Sequence, residues 1–396
     1  MNTNTLSMKK IYIFFLNVYL ICLPLGAMNL GSWGSALKAL AIFPVGIALL
    51  SGGSIRLSKP LLTQFFFTLF AFFSIFWSLT FDDSLSRSIS YILLLLLLIS
   101  GASFRYTSAE INQIKNALIW SSRITAVILL IFGEFVQGRF LLKNIINEDP
   151  NYLCAYFTFG IAGALGILIQ KNAMWKKLLA VTELLFYFYL VLITGSRGGL
   201  ISVIGCATVF LVTIGKSKHL FRQIVIVSLL FVSLAILLEY LPETLQHRFT
   251  IEDVSETGGT GRIDLWKQTL DLFRNGNVLR HFFGFGTGSI IRSFAEFGYR
   301  KLAVTHNIFL ETLAELGIIG FALYTAAIVS FLKSAFRQTD KFAFSVMFGI
   351  MTLSLSTSLS TFKPYFNIML FILILENLQT EEPSREFLKN SFKNKV

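Results

Sequence analysis

The chain has 396 residues, of which 54% are hydrophobic and 14% are charged, and its formal net charge is +12. A soluble domain of this length carries about a quarter charged residues, so the composition excludes an ordinary soluble protein. Apolar stretches of roughly 17 to 25 residues, the length that crosses a bilayer as a helix, recur from end to end. A transmembrane β-barrel would show short alternating segments instead. The composition therefore predicts an all-α polytopic membrane protein.

Twelve apolar runs predict about twelve transmembrane helices. The first run follows Lys9 and Lys10 but has no convincing small-residue cleavage site, so we interpret it as a retained helix rather than a secretory signal. In chain order, the runs are residues 11–29, 34–52, 61–80, 88–104, 116–136, 151–169, 178–194, 200–215, 221–241, 316–332, 342–360 and 364–378.

The basic residues predict the orientation of these helices. With the N-terminus in the cytoplasm, every connection on the cytoplasmic side carries lysine or arginine, whereas the short connections on the other side carry few. Positive charge marks cytoplasmic loops, so both termini are predicted to be cytoplasmic. The basic net charge is therefore a topology signal, and it does not indicate a nucleic-acid partner.

One outer connection, residues 242–305, is far longer than the others and carries eight basic residues. Long loops cross the membrane regardless of charge, so this loop does not contradict the orientation. The chain is predicted to have four parts. They are transmembrane helices 1–9 in residues 1–241, an outer cap loop with the start of the next helix in residues 242–315, transmembrane helices 10–12 in residues 316–378, and a cytoplasmic tail in residues 379–396.

The fifth run contains Arg123, a costly residue in hydrocarbon. We expect Arg123 to face the interior of the bundle and to pair with Glu134 or Glu183. A purely structural ion pair and a place in the wall of an active cavity both stay open at this point.

The connection between the seventh and eighth runs reads TGSRGGLI, residues 194–201. Its glycines allow a tight turn with positive φ, which predicts Arg197 at the tip of the turn near the membrane surface. Glycines on both sides, including Gly198, let the backbone and the guanidinium approach a phosphate together. An anion contact is one interpretation of Arg197, and an interfacial arginine that reaches lipid phosphate is the other.

Residues 258–277, GGTGRIDLWKQTLDLFRNGN, predict an amphipathic helix in the outer loop. Thr260 or Gly261 is the expected cap. Arg262 lies in the first turn, where the helix dipole favours anions, so its position is easier to understand if an anion binds there too. A solvated arginine is the alternative.

Residues 304–321, VTHNIFLETLAELGIIGF, predict a helix that begins at Thr305 or His306. The positive end of the helix dipole keeps a histidine neutral, and a neutral imidazole suits a general base near a phosphate leaving group. A structural histidine is the alternative. On a helical wheel His306 lies on the packed face, whereas Glu311 and Glu315 share another face.

Sequence patterns for a metal or a cofactor are missing. The chain has no HExxH, no CxxC and no cluster of histidine and carboxylate at metal-ligand spacing, so we expect neither group. The segment GFGTGSI, residues 284–290, lacks the Lys-Ser/Thr ending of a phosphate loop and is interpreted as a flexible return towards His306. The cysteines are interpreted as small buried hydrophobic residues, and they are Cys22, Cys154 and Cys206.

Five motifs resemble the O-antigen ligase and O-antigen polymerase superfamily of bacterial envelope enzymes. They are NEDPNYLCAYF, GSRGG, GRIDLWKQTL, GFGTGS and THNIFLETLAELGIIG, and they cover residues 147–325. The resemblance implies a helical bundle similar to the GT-C glycosyltransferases in the bacterial inner membrane, with the outer side facing the periplasm. It also implies a glycan donor on undecaprenyl diphosphate. The implied acceptor is the lipid A core for a ligase, or a second lipid-linked glycan for a polymerase.

The resemblance also implies roles for single residues. His306 corresponds to the family histidine proposed to activate the acceptor hydroxyl, and Arg197 and Arg262 correspond to arginines thought to hold the diphosphate. Two guanidiniums on the diphosphate make a metal dispensable, and direct displacement inverts the anomeric centre. Supporting residues are expected at Arg123, Gly198, Asn307 and Arg292.

We expect a ligase rather than a polymerase, although the motifs fit both. The eight basic residues of the loop 242–305 offer a docking surface to an anionic lipid A core. A membrane transporter is the alternative from another class of protein. Transporters place their functional polar groups at mid-membrane on broken helices, whereas here these groups are predicted on the outer side.

Overall fold

The computed structural model describes residues 3–25, 39–136, 138–142, 150–214, 220–250, 252–253, 261–358 and 360–379. This part of the chain is a bundle of apolar helices with one short hairpin. The first helices are α1 (Thr3–Cys22), α2 (Ile42–Leu50), α3 (Lys59–Phe73), α4 (Phe81–Ala102), α5 (Ser108–Phe132), α6 (Pro150–Ile169), α7 (Met174–Ile193) and α8 (Arg197–Ile214). The others are α9 (Leu220–Glu239), α10 (Glu243–Arg248), α11 (Arg262–Arg274), α12 (Val278–Phe283), α13 (Ile290–Glu296), α14 (Ile308–Arg337), α15 (Phe342–Ser354) and α16 (Lys363–Glu376). The hairpin pairs β1 (Glu134–Val136) with β2 (Arg139–Leu141).

Six of the described helices are long and apolar enough to cross a membrane, so the chain is a multi-pass helical membrane protein. They are α4, α5, α6, α8, α14, and α3 with the 3₁₀ turn that extends it to Trp77. Helices cover part of each of the twelve predicted runs, but the count of twelve spans, the four-part division and the outer side of the long loop stay predictions.

The hairpin corrects the all-α expectation at one place. The fifth run was predicted to continue to residue 136, but α5 ends at Phe132. Gly133 has an extended backbone, with φ −76° and ψ 145°, and leads the chain directly into β1. The apolar residues after Phe132 therefore belong to a strand, which hydropathy alone does not distinguish from the end of a helix.

Helix α6 forms the centre of the bundle. All of its residues from Leu153 to Leu165 are buried, and it packs against α5, α7, α8 and α15. Small residues permit this close approach, since a Cβ on Gly199 of α8 would lie 2.4 Å from the Cys154 sulfur. Cys154 and Cys206 are free and buried, as predicted, while Cys22 is free and half-buried.

Helix α14, with 30 residues, begins where the loop segments meet the bundle. Asn307 caps it, because its Oδ1 accepts hydrogen bonds from Phe309 N at 3.0 Å and from Leu310 N at 3.2 Å. An asparagine in this position satisfies amide groups that the first turn of a helix leaves without partners. The predicted helix start at Thr305 or His306 is therefore too early by two or three residues.

Gly317 interrupts α14 at the point where the glycine-rich segment, residues 284–290, packs against this helix. Its φ of 64° favours glycine, and a Cβ there would lie 2.4 Å from the Phe282 carbonyl. Beside it, Gly286 N donates a hydrogen bond to Glu315 O at 2.7 Å. The segment 284–290 is mostly buried. It is a packed junction, so the prediction of a flexible return is wrong.

The described residues of the long loop are partly helical, as predicted, with α10 to α13. We refer to the described residues from Arg262 to Thr305 as the cap. The cap shares a small hydrophobic core with the start of α14, which fixes its position on the bundle. The members of this core are Leu265, Leu272, Phe285, Ile290, Phe294 and Ala314.

Candidate active site where the cap meets the bundle

His306 lies in the turn directly before α14. It is half-buried, and its φ of 51° makes it the one non-glycine residue with positive φ in the described part of the chain. Holding such a residue in the left-handed region costs on the order of 1–3 kcal/mol, so the surrounding contacts must fix the turn. Backbone strain of this kind clusters at active sites, which agrees with a functional role for His306.

Helix α11 holds the segment that leads to His306. Trp266 Nε1 donates a hydrogen bond to Thr305 O at 3.2 Å. Arg262 is the first residue of α11, and because it lies four positions before Trp266, the two side chains share one face of the helix. Arg262 and His306 therefore belong to the same junction.

A charged contact ties α11 to the same segment four residues before Thr305. Lys301 Nζ lies 2.6 Å from Asp264 Oδ2, and the Lys301 ammonium lowers the pKa of the Asp264 carboxyl. Gln268 Nε2 donates a hydrogen bond to Lys301 O at 2.7 Å. Helix α11 itself begins after Gly261, one of the two predicted caps, which has φ 77°.

Arg197 is the first residue of α8, not the tip of the turn, and its side chain is only 18% exposed. Its Nη1 lies 3.2 Å from Asp253 Oδ2, yet neither Nη1 nor Nη2 makes a hydrogen bond within the described part of the chain. Buried donors without hydrogen bonds are costly. A mostly buried guanidinium with unused donors fits an anion contact better than an arginine that reaches lipid at the surface.

Arg248 places a second guanidinium near Arg197. Burial lowers the pKa of Arg248, the Arg197 charge lowers it further, and Asp253 opposes both. Arg248 Nε donates a hydrogen bond to the carbonyl of Gly195 at 3.4 Å, and Gly195, with φ 60°, is a glycine that the tight turn was predicted to need. An anion between the two guanidiniums would relieve their repulsion. In the sequence, Arg248 is distinguished only as one of the eight basic residues of the long loop.

The turn before α8 is packed tightly against its neighbours. Ser196 Oγ donates a hydrogen bond to Asn151 Oδ1 at 2.5 Å and accepts one from Gly199 N at 2.9 Å. A Cβ on Gly198 would lie 2.2 Å from Ser356 Oγ. Gly198 therefore makes room for Ser356 at the start of α8.

A serine segment connects this turn with the start of α14. Two residues after Ser356, Ser358 Oγ donates a hydrogen bond to Glu311 Oε2. Glu311 N donates in turn to Asn307 O at 2.9 Å. The structure thus brings together, at one end of the bundle, the residues predicted to act and a predicted supporting residue: Arg197, Arg262, His306 and Asn307.

Arg87 on α4 is a site residue that sequence analysis missed. Its Nη1 lies 2.8 Å from Glu311 Oε1 and 3.1 Å from Glu315 Oε2, and the two glutamate side chains are 1% and 4% exposed. The helical wheel predicted that the face with His306 is the packed one. The face with Glu311 and Glu315 is the buried one, because Arg87 balances their charge. Two glutamates four residues apart in an apolar helix predict a buried cation, and this signal could have found Arg87.

Arg123 lies in a different part of the molecule. Its Nε and Nη2 donate to the two Glu183 carboxylate oxygens at 2.9 and 3.1 Å, which confirms the predicted pairing with Glu183. Arg123 lines a cavity with Gly163, in the second half of α6 and about 18 Å along this helix from Asn151. Asn151 contacts the turn before α8, whereas Arg123 lies beside the second half of α6, so the structure does not bring this predicted supporting residue to the site.

Arg292, the remaining predicted residue, is exposed on α13 and lines a groove together with Arg87. It is therefore connected to the site through the ion pair of Arg87 with Glu311. Within the described residues, no three His, Cys, Asp or Glu side chains are grouped so that they could hold a metal ion. Independence from a metal stays a prediction.

These features define a multi-pass helical membrane protein with a strained histidine and mostly buried arginines at one end of its bundle. Residues 182–325 match the model of a protein family described as O-antigen ligase. This match supports the O-antigen ligase-like superfamily and bears out the resemblance seen in the motifs. The matched segment contains Arg197, Arg262 and His306. No curated protein matches the chain.

The family gives the function at a coarse level. It supports a glycosyltransferase-like enzyme of the O-antigen ligase or polymerase type, with lipid-linked glycans as substrates and a place in lipopolysaccharide biosynthesis. The family description does not separate a ligase from a polymerase, and it assigns no role to a single residue.

Proposed function

We propose that the protein is an O-antigen ligase of the bacterial inner membrane. It moves O-antigen glycan from undecaprenyl diphosphate to the lipid A core on the periplasmic face. The observation that carries the proposal is the meeting of the His306 turn with the starts of α8 and α11, which bear Arg197 and Arg262. Transfer from a lipid diphosphate needs a base for the acceptor and positive charge for the leaving group, and this junction holds both.

His306 is the general base of the proposed reaction. An acceptor hydroxyl attacks the anomeric carbon of the donor sugar, and the imidazole takes the hydroxyl proton. The bond from the anomeric carbon to the diphosphate oxygen breaks, and undecaprenyl diphosphate leaves with the electron pair. A single displacement of this kind inverts the anomeric centre. General base catalysis contributes about 10²–10⁴-fold to the rate.

Arg197 and Arg262 bind the diphosphate in this mechanism. Both Nη atoms of Arg197 lack hydrogen bonds within the described residues, so a phosphate would satisfy donors that are otherwise buried at a cost. Arg262 stands at the start of α11, where the helix dipole adds to the attraction for an anion. Two guanidiniums offset the charge that develops on the leaving group, so the proposed reaction needs no metal or cofactor.

The acceptor distinguishes a ligase from a polymerase. A ligase admits a bulky phosphorylated lipid A core, and exposed cations of the cap support its docking. A polymerase acceptor brings a diphosphate of its own and would require a second phosphate-binding region. The exposed cations are Lys267, Arg274, Arg292, Arg300 and Lys301.

Deletion of the gene in its source bacterium tests the proposal. A strain without a ligase accumulates long glycan on undecaprenyl diphosphate while its lipid A core stays bare, and a plasmid copy of the wild-type chain reverses both changes. A single repeat unit on the core would overturn the ligase and leave a polymerase. Unchanged glycans on both carriers would overturn both enzymes.

A further inference from the structure

A polar groove lies between α4 and α13, beside the Arg87 ion pair. Its volume is about 620 Å³, within the range of sites that bind small molecules. The proposed mechanism gives this groove no role. The polar side chains of its walls include Asp83, Ser86 and Ser90 on α4, Arg292 on α13 and Thr361 before α16.

The mixture of side chains indicates a ligand with many hydroxyl groups. Serine and threonine hydroxyls both donate and accept hydrogen bonds, while Asp83 accepts and Arg292 donates. A free phosphate offers little to Asp83, since the two negative charges repel each other. Sugar rings carry hydroxyls that donate and accept, and their C–H faces suit Ile291 and Ala295 in the same wall. The groove therefore fits an oligosaccharide.

Arg87 has hydrogen-bond donors left for such a ligand. All hydrogen bonds that Arg87 makes with described residues leave from Nη1. Its Nε lies at the wall of the groove, 3.5 Å from the position that a Cβ on Gly288 would take. The two glutamates hold the guanidinium by one nitrogen, so Nε and Nη2 are oriented and make no hydrogen bond with a described residue.

The groove is connected to the proposed base by this same ion pair. Arg87 contacts Glu311 at 2.8 Å, and Glu311 lies in the first turn of α14, about 6 Å along the helix axis from Asn307. Asn307 directly follows His306. We propose that the groove binds the acceptor glycan and leads its terminal sugar to His306. This inference rests on the proposed function, in which His306 activates the acceptor.

Purified protein tests the proposal in two assays. One measures binding of lipid A–core isolated from the deletion strain, and the other measures glycan transfer while the concentration of donor or acceptor is varied. Asp83→Ala is expected to raise the Kd and the KM for lipid A–core about tenfold and to leave the KM for the donor unchanged. Asp82→Ala is the matched control, because Asp82 is also exposed in the first turn of α4 but does not line the groove.

A second variant tests the groove by filling it. Ser86→Trp is expected to abolish binding of lipid A–core, whereas Ser108→Trp, the same change at the exposed start of α5, is expected to leave it unchanged. Thermal unfolding of each variant separates lost binding from a lost fold. If Asp83→Ala does not fold, Ser86→Trp decides.

The possible results distinguish acceptor binding by the groove from catalysis of transfer by His306. Wild-type binding of lipid A–core by both groove variants would overturn the proposal that the groove binds the acceptor. A rise in the donor KM alone would also overturn it, because the groove would then bind the donor glycan. His306→Ala is expected to bind lipid A–core normally and to lose transfer. If the wild type binds lipid A–core through Asp83 but transfers no glycan, the groove stands and the proposed function falls.

Discussion

Two arginine clusters lie among the helices, and they differ in how many of their guanidinium donors make hydrogen bonds. Arg123 faces one carboxylate, Glu183, through two hydrogen bonds of 2.9 and 3.1 Å, and Tyr187 Oη donates to the same carboxylate at 2.7 Å. Near the cap, Arg87 serves two buried glutamates with one nitrogen. Arg197 has an ion pair of 3.2 Å with Asp253, but neither of its Nη atoms makes a hydrogen bond with a described residue.

The difference indicates which cluster is structural and which one is available for a substrate. A buried ion pair with good geometry satisfies itself and gains little from a further ligand. A guanidinium that is mostly buried with unused donors is costly, and a substrate anion or hydroxyl would lower that cost. We therefore expect changes at the site end to reduce glycan transfer, and changes at the Arg123 pair to reduce only stability.

His306→Ala is expected to have the largest effect on transfer. Loss of a general base lowers the rate about 10²–10⁴-fold, while the amount of protein in the membrane stays near that of the wild type, since His306 lies in a turn and not in the core. Complementation of the deletion strain and transfer by purified protein measure the effect. His281→Ala, at a half-buried histidine elsewhere in the cap, is the control. Normal transfer by a well-expressed His306→Ala protein would exclude His306 as the general base.

Arg197→Lys is expected to have the next largest effect, about a hundredfold loss of transfer. Lysine keeps the charge but loses the planar fork of donors that two phosphate oxygens need. Arg123→Lys is the matched change at the ion pair of Arg123 with Glu183. The rate of transfer per folded molecule of this variant is expected to equal that of the wild type. Transfer rates at several donor concentrations distinguish the two. Equal losses in both variants would remove the distinction between the clusters.

Helix content and one ion pair followed from local patterns, while the long-range contacts did not. Apolar runs located the helices, Gly261 was a predicted cap, and Glu183 was a predicted partner of Arg123. The burial of Glu311 was not predicted, because the helical wheel placed Glu311 on a face other than the packed one. Its partner Arg87 is 224 positions away in the sequence. The same cause explains the packed glycine-rich segment, whose partners are on α14 and in the turn after α3.

Arg87→Ala is expected to act on stability more strongly than Arg123→Ala. Removal of Arg87 leaves the charge of Glu311 and Glu315 buried without a partner, which costs about 3–5 kcal/mol. Arg123 and Glu183 are 35% and 19% exposed, and Glu183 keeps the Tyr187 hydrogen bond, so loss of Arg123 costs about 1 kcal/mol. Thermal unfolding in detergent compares the variants. A smaller Tm decrease for Arg87→Ala than for Arg123→Ala would contradict the assignment of the buried cluster.

The smallest expected effect is that of a chelator on the wild-type enzyme. If Arg197 and Arg262 offset the charge of the departing diphosphate, excess EDTA leaves the rate of transfer unchanged, because guanidiniums supply the stabilisation that a divalent ion supplies elsewhere. Transfer by purified protein with lipid-linked donor and lipid A–core, with and without EDTA, measures this. The Arg197→Lys protein is the sharper test, since added magnesium should not restore its activity if the site has no place for the ion. Loss of wild-type activity in EDTA with recovery in magnesium would show that the arginines do not act alone.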